Sequence, residues 1–167
     1  MVKIGLLGYG TIGSGVVELL GRDSCRKSDL SIEKILVRNK DKHYYKPYGS
    51  KLTDSFDDIL KSDVDIVVEV MGGIDPAYFY VKQSLLKGRH VVTANKDLIA
   101  KFGNELQSIA RQNGVRLLFE ASVGGGIPII KPLRECLAAN NITEIRGIIN
   151  GTTNYILTKM SEEGRDF

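Results

Sequence analysis

The chain has 167 residues, enough for one full domain with its own core or for one domain and the start of another, and too few for two complete domains. Its 43% hydrophobic and 26% charged content is that of a soluble globular protein and excludes a disordered or fibrous chain. The net charge of +3 comes from scattered basic residues, which gives no ground for a nucleic-acid partner, and no apolar run approaches the roughly 20 residues of a membrane span.

Val2 to Leu7 is an apolar run that ends in glycines and predicts a buried strand; Ile12 to Leu20 has helical spacing. The run Ile4 to Leu7 is too short for the apolar region of a signal peptide. Cys25 and Cys136 stand far apart, without metal-site or disulfide-scaffold spacing, and read as free thiols of a reducing compartment, with the cytoplasm as default. Ile32 to Val37 is β-branched and predicts strand two; Arg38 to Ser50, with Pro47 and Gly49, predicts a loop. A short helix is expected over Asp54 to Leu60, capped by Thr53 or Asp54, and then strand three over Val64 to Val70.

Asp75-Pro76 signals a helix start, with aspartate as cap and proline in the first turn, and Gly88 ends that helix. His90 to Thr93 predicts strand four, Leu98 to Gln112 one or two helices broken near Gly103, and Val115 to Phe119 strand five. Alternation of apolar strands with helices argues for an α/β fold, a doubly wound parallel sheet covered by helices on both faces. After Gly124-Gly125-Gly126 the pattern changes to a helix over Ile129 to Leu137, a strand over Ile142 to Ile149 and a helix over Thr153 to Met160. A boundary near residue 130 is expected, with residues 1–130 as a nucleotide-binding domain and 131–167 as the start of a second, α+β domain.

Gly8-Tyr9-Gly10-Thr11-Ile12-Gly13 matches the G-x-G-x-x-G fingerprint in the context that gives it meaning, between a predicted strand and helix. The first glycine permits a tight turn, the second lets the backbone approach a pyrophosphate, and the third lets helix and strand pack closely. Gly8, Gly10, Thr11, Ile12 and Gly13 are therefore the candidate cofactor contacts, the amides at the helix start facing phosphate charge. An NAD-specific site usually places a carboxylate at the end of strand two, where this chain has Arg38-Asn39-Lys40. A guanidinium can hold a 2′-phosphate in bidentate fashion, so NADP(H) is expected to be preferred over NAD(H), the alternative being that Arg38 is a solvated loop residue.

Four further segments occur in order: Glu69-Val70-Met71-Gly72-Gly73, Thr93-Ala94-Asn95-Lys96, Glu120-Ala121-Ser122-Val123-Gly124-Gly125-Gly126-Ile127-Pro128, and Asn150-Gly151-Thr152-Thr153-Asn154-Tyr155. With the fingerprint, they make the chain resemble homoserine dehydrogenase over essentially its whole length. The resemblance implies reversible hydride transfer between a nicotinamide and the aldehyde carbon of L-aspartate 4-semialdehyde, giving L-homoserine for threonine and methionine biosynthesis. It assigns Lys96 to catalysis and to cofactor and substrate binding, Gly72, Gly73 and Thr93 to the cofactor, and Gly151 and Thr152 to the substrate. It also implies a sodium ion held by main-chain carbonyls of Glu120, Val123, Gly125 and Ile127, a segment otherwise read as an interdomain hinge. It further implies a homodimer formed through the second domain.

The family's proton-donating lysine and neighbouring acidic residues are not matched before Phe167, so the chain reads as a piece of a longer enzyme, weakly active or inactive by itself. Two other readings compete. A thioester-forming dehydrogenase needs a nucleophilic cysteine, and Cys136 lies in an apolar helical pattern that would bury its thiol. A non-catalytic nucleotide sensor would bind NAD(P)H and signal to a partner.

Overall fold

A computed structural model describes residues 1–22, 29–147 and 150–166. Cys25 lies outside them. The chain forms two compact units, Met1–Pro128 and Ile129–Phe167.

In the first unit the elements follow the order β1 (Val2–Leu7), α1 (Thr11–Gly21), β2 (Leu30–Leu36), β3 (Leu52–Thr53), α2 (Phe56–Lys61), β4 (Ile66–Glu69), α3 (Ala77–Leu86), β5 (His90–Thr93), α4 (Lys96–Gln112) and β6 (Leu117–Leu118). The six strands form one sheet of order β3-β2-β1-β4-β5-β6, and every pair is parallel. The order reverses between β1 and β4, which opens a crevice at the carboxyl ends of those two strands.

Adjacent strand residues point to opposite faces, so runs that are apolar throughout supply two cores. Leu7, Leu36, Val67 and Val91 join Phe56, Ile59, Val81, Leu85, Leu98 and Leu106 from α2, α3 and α4 on one face. Leu6, Ile32 and Ile35 join Val17 of α1, Tyr9 and Val37 on the other. Between β1 and β2 the register shifts after Ile4, which pairs Ile32, so that Gly5 pairs Lys34.

Several boundaries depart from expectation. Leu52–Thr53 adds an edge strand inside what the sequence presents as loop and helix cap, because Val37 N–H reaches Thr53 O at 2.8 Å and extends the pairing by only two residues. Ser55, not Thr53 or Asp54, precedes α2; the Thr53 hydroxyl instead donates to Asp58 Oδ2 at 2.6 Å and accepts from Ser55 N–H at 3.1 Å. Pro76 precedes α3 after a cis peptide bond, and no side chain caps that helix, so Asp75 is not the cap. α4 continues through Gly103, which is buried; packing there outweighs the roughly 1 kcal/mol that glycine costs a helix.

In the second unit, Lys131 leads into a π-helical turn over Pro132–Cys136, in place of the helix expected over Ile129 to Leu137. Pro132 has no N–H to offer, and Leu137 N–H bonds Pro132 O at 2.9 Å, one residue beyond α-helical spacing. Cys136 is exposed rather than buried. Residues 141–147 form no strand; an extended segment becomes one only by pairing, and no described residue pairs with it. Positions 148 and 149 of that expected strand lie outside the described residues. Helix α5 spans Gly151–Glu163, capped by the Asn150 side chain, which accepts from Thr153 N–H at 2.9 Å.

Candidate functional site

The loop after β1 carries the fingerprint into the crevice. Gly8 has φ 104°, a conformation that favours glycine, and a side chain there would press on Val70 O at 3.1 Å. At Gly13, a Cβ would collide with the Gly8 carbonyl oxygen, so α1 can start this close to β1 only without one. Gly10 precedes α1 and faces open space, with nothing within 4 Å of an added Cβ. No side chain caps α1 and its first turn has no acidic residue, while the first amides of any helix lack intrahelical acceptors. Thr11 and Ile12 are exposed in that turn, Ile12 at 56%. An open, cationic helix start behind a glycine turn fits a pyrophosphate.

Tyr9, between the first two glycines, is 3% exposed and is held by the segment after β2. Its hydroxyl donates to Pro47 O at 2.7 Å, its ring stacks on His43 with centroids 5.7 Å apart, and its carbonyl accepts from Lys46 Nζ at 3.2 Å. Lys46 Nζ also reaches Ser14 Oγ in the first turn of α1, at 3.2 Å. Burial pushes the Tyr9 hydroxyl up from its ordinary pKa, with Tyr48 adding to the effect. Arg38 is exposed, two residues past the end of β2 and on the same sheet edge, and Lys40 pairs with Asp54 at 3.2 Å.

At the ends of β4 and β5 the motifs interlock. Glu69 is fully buried and accepts from Met71 N–H at 2.8 Å and from the Thr93 hydroxyl at 2.6 Å. Thr93 Oγ1 in turn accepts from Asn95 N–H at 3.0 Å, so the Thr93 hydroxyl, 1% exposed, is committed inside the protein. Asn95 caps α4 by accepting from Leu98 N–H at 3.1 Å, and its Nδ2 donates to Gly73 O at 2.5 Å. Gly72 and Gly73 are exposed, with φ of 76° and 71°. Lys96 is exposed at the first position of α4. A cation there opposes the helix dipole, so folding alone gives no reason for it; dipole and ammonium together favour an anion at that point.

Gly8, Gly10, Thr11, Ile12, Gly13, Gly72, Gly73, Thr93, Lys96 and Arg38 thus share the carboxyl edge of one sheet. Glu120 to Ile127 follows β6: a 3₁₀ turn over Glu120–Ser122, then Gly124 and Gly125 at φ 73° and 60°. Its main-chain oxygens are the donor class that hard cations take. Among the described residues, no group of three His, Cys, Asp or Glu side chains could hold a metal. Gly151 and Thr152 are exposed in the first turn of α5, in the second unit. In the first unit, a cleft of about 700 Å³ lined by Met1, Asp63, Asp65 and Arg89 lies at the amino edge of the strands, opposite the carboxyl edge that carries the glycine turn and Lys96.

In the sequence, Glu69 and Asn95 are visible only as letters of their motifs. The signal for Glu69 was a lone carboxylate within an apolar strand, and for Asn95 a capping residue before a helical run. Lys46 and Tyr9 had no sequence signal.

A parallel sheet of this order, with a glycine turn leading into a helix at its switch point, is the Rossmann-type doubly wound α/β fold. A family model described as homoserine dehydrogenase, NAD binding domain, matches residues 8–120, and one described as homoserine dehydrogenase matches residues 128–167. The chain belongs to the homoserine dehydrogenase family. It is 48% identical to the homoserine dehydrogenase of Synechocystis sp., over 99% of this chain and 40% of that protein, and 45% identical to that of Bacillus subtilis, over 97% and 39%. A crystal structure of a homoserine dehydrogenase from Thiobacillus denitrificans superposes with a TM-score of 0.90 at 45% identity, covering 98% of this chain and 39% of that one. A hyperthermophilic archaeal homoserine dehydrogenase in complex with NADPH matches with a TM-score of 0.82 at 31% identity, over 99% of this chain and 57% of that one. The chain therefore spans about 40% of the length of the curated relatives it matches.

Proposed function

We propose that the complete protein is a nicotinamide-dependent homoserine dehydrogenase interconverting L-aspartate 4-semialdehyde and L-homoserine, in threonine and methionine biosynthesis. The observation that carries this reading is that Lys96 opens α4 on the same sheet edge where the glycine turn opens α1. The nicotinamide cofactor supplies or accepts the hydride. Amides of Thr11, Ile12 and Gly13 hold its pyrophosphate, and Gly72 and Gly73 give it room to lie close to the ends of β4 and β5. Thr93 serves the cofactor through its main chain, because its hydroxyl is already engaged. The Lys96 ammonium anchors the anionic substrate and stabilises negative charge developing at the carbonyl oxygen, aided by the amides of α4.

Arg38, exposed and beyond the end of β2, takes the 2′-phosphate, so NADP(H) is preferred over NAD(H). Support for this comes from the archaeal relative solved with NADPH. Main-chain oxygens of Glu120, Val123, Gly125 and Ile127 would hold a sodium ion that stiffens the bend after β6. Gly151 and Thr152, opening α5, contact the substrate, and the complete protein is a homodimer acting in the cytoplasm on a small-molecule substrate. Residues 1–130 form the cofactor domain and 131–167 the beginning of the substrate and dimerisation domain. The non-catalytic sensor and the thioester reading are both disfavoured by the homoserine dehydrogenase family models that match the two parts of the chain.

The test is homoserine-dependent reduction of NADP by the complete protein. Lys96→Ala should lower kcat by about 100-fold or more while moving stability by no more than about 0.5 kcal/mol, because the side chain is exposed. Arg38→Ala should lower kcat/KM for NADP about 10-fold and leave that for NAD nearly unchanged. Full turnover in Lys96→Ala would remove the reading's basis.

A further inference from the structure

Glu69 is a fully buried carboxylate with no ion-pair partner among the described residues. Burying such a group is costly, and an apolar side chain of similar size would fill the space more cheaply if filling were its only task. Its two oxygens are bonded instead to two segments of the proposed site. One accepts from Met71 N–H, at the entry to Gly72-Gly73, and the other from the Thr93 hydroxyl, before Lys96.

The bonds close a ring. From Glu69 the main chain runs through Met71 to Gly73; Gly73 O accepts from Asn95 Nδ2; Asn95 N–H donates to Thr93 Oγ1; and Thr93 donates back to Glu69. The Thr93 oxygen accepts from Asn95 N–H while its single hydroxyl proton is directed to Glu69. Met71 N–H can only donate. Both Glu69 oxygens accept in this ring, and a carboxamide of the same shape keeps one such oxygen and sets an N–H donor in place of the other.

We propose that Glu69 is a positioning residue that clamps the Gly72-Gly73 turn to the start of α4 and so fixes the place of Lys96. This rests on the reading that Lys96 and the glycine turn flank cofactor and substrate. In Glu69→Gln one acceptor becomes an N–H donor, so either the bond from Met71 N–H is lost or the Thr93 hydroxyl must turn its proton away from position 69, and the clamp loosens. The pyrophosphate loop, Gly8 to Gly13, lies outside the ring. Chemistry should therefore suffer more than cofactor binding.

The experiment uses the complete protein and its Glu69→Gln, Thr93→Val, Thr93→Ser and double Glu69→Gln/Thr93→Val variants. NADPH affinity is read by fluorescence, kcat is normalised to NADPH-binding sites, and amide hydrogen exchange is followed over residues 93–98. Glu69→Gln is expected to lose about 10-fold or more in kcat with NADPH affinity within about 3-fold of wild type, as a misplaced catalytic group would cause. Thr93→Val should show the same loss, the double variant no greater one, and Thr93→Ser, which keeps the hydroxyl, should return amide exchange at residues 93–98 toward the wild-type rate. Exchange at residues 93–98 should quicken in Glu69→Gln. Simple destabilisation would lower the number of binding sites but not kcat per site, so an unchanged kcat per site, or losses that multiply in the double variant, would overturn the proposal. If wild type shows no homoserine-dependent turnover, the dehydrogenase reading fails, and the exchange data still decide the clamp: unaltered exchange in Glu69→Gln sinks it.

Discussion

Gly13 is where one hydrogen atom in place of a methyl group decides the local fold. Its Cβ would collide with the Gly8 carbonyl, main-chain atoms that cannot swing aside as a side chain can. Gly13→Ala is accordingly expected to cost about 1–3 kcal/mol in denaturant unfolding, the range of an overpacked interior, and to weaken NADPH binding by displacing α1. His43 gives a pH signature of its own. Burial against Tyr9, then the charges of Lys46 and Lys42, hold its imidazole below its ordinary pKa, and its Nδ1 lacks a protein partner. The unfolded chain therefore takes up a proton first as pH falls. The contribution of His43 to stability is fully present above its unfolded pKa of about 6.5 and is lost as pH drops through the lower folded value. Denaturation midpoints at pH 7.5 and 5.5 should differ more in wild type than in His43→Gln; an equal difference would show that the stack does not sense protonation.

At the scale of elements, α2 is closed from outside itself. Arg89, just before β5, donates to the carbonyls of Ile59, Leu60 and Ser62 at the end of that helix, with the Leu60 and Ser62 bonds at 2.7 and 2.8 Å. Burial pulls its guanidinium below the usual value, and the charges of Asp63 and Asp65 oppose that pull. Three carbonyls share one planar donor group, so Arg89→Met should destabilise the chain by about 2–3 kcal/mol, and Arg89→Lys should recover only part of the loss. Thermal melting of the three proteins would settle it; equal melting temperatures would deny the cap any role. Nothing in the local sequence of α2 announces this arrangement, since the cap comes from residues roughly a helix and a strand further on.

Elements were legible where the pattern is local. Val2 to Leu7, Ile66 to Glu69 and His90 to Thr93 declare themselves as mainly apolar runs, and α4 by its spacing, because strands covered on both faces favour apolar side chains. Leu52–Thr53 is too short to carry a pattern, and Gly103 looks like a helix break because its burial is set by the fold around it. The site divides in the same way. Gly8 to Gly13 and Lys96 were marked by motif. The Glu69, Thr93 and Asn95 bonds join strands far apart in sequence and have no counterpart in spacing.

For the whole molecule, the parallel sheet puts its ligand edge at the carboxyl ends of the strands, although a cleft lined by Ser62 to Ile66 and Lys87 to His90 is at the other end. The two edges make opposite forecasts. With NADPH added to the complete protein, amide exchange should slow at Gly10 to Ser14, Met71 to Gly73 and Ala94 to Leu98, and stay unchanged around Asp63 and Arg89. Protection confined to the amino edge would place the nucleotide in that cleft and refute the assignment of the fingerprint.

The grip on Tyr9 has a practical corollary for redesign of the adenosine end. Its hydroxyl, ring and carbonyl are each engaged by residues 43–47, so the turn proposed to cradle diphosphate and the stretch beyond Arg38 are mechanically one part. Transplanting either from a relative with the other coenzyme preference would leave mismatched halves, whereas moving both together preserves the joint.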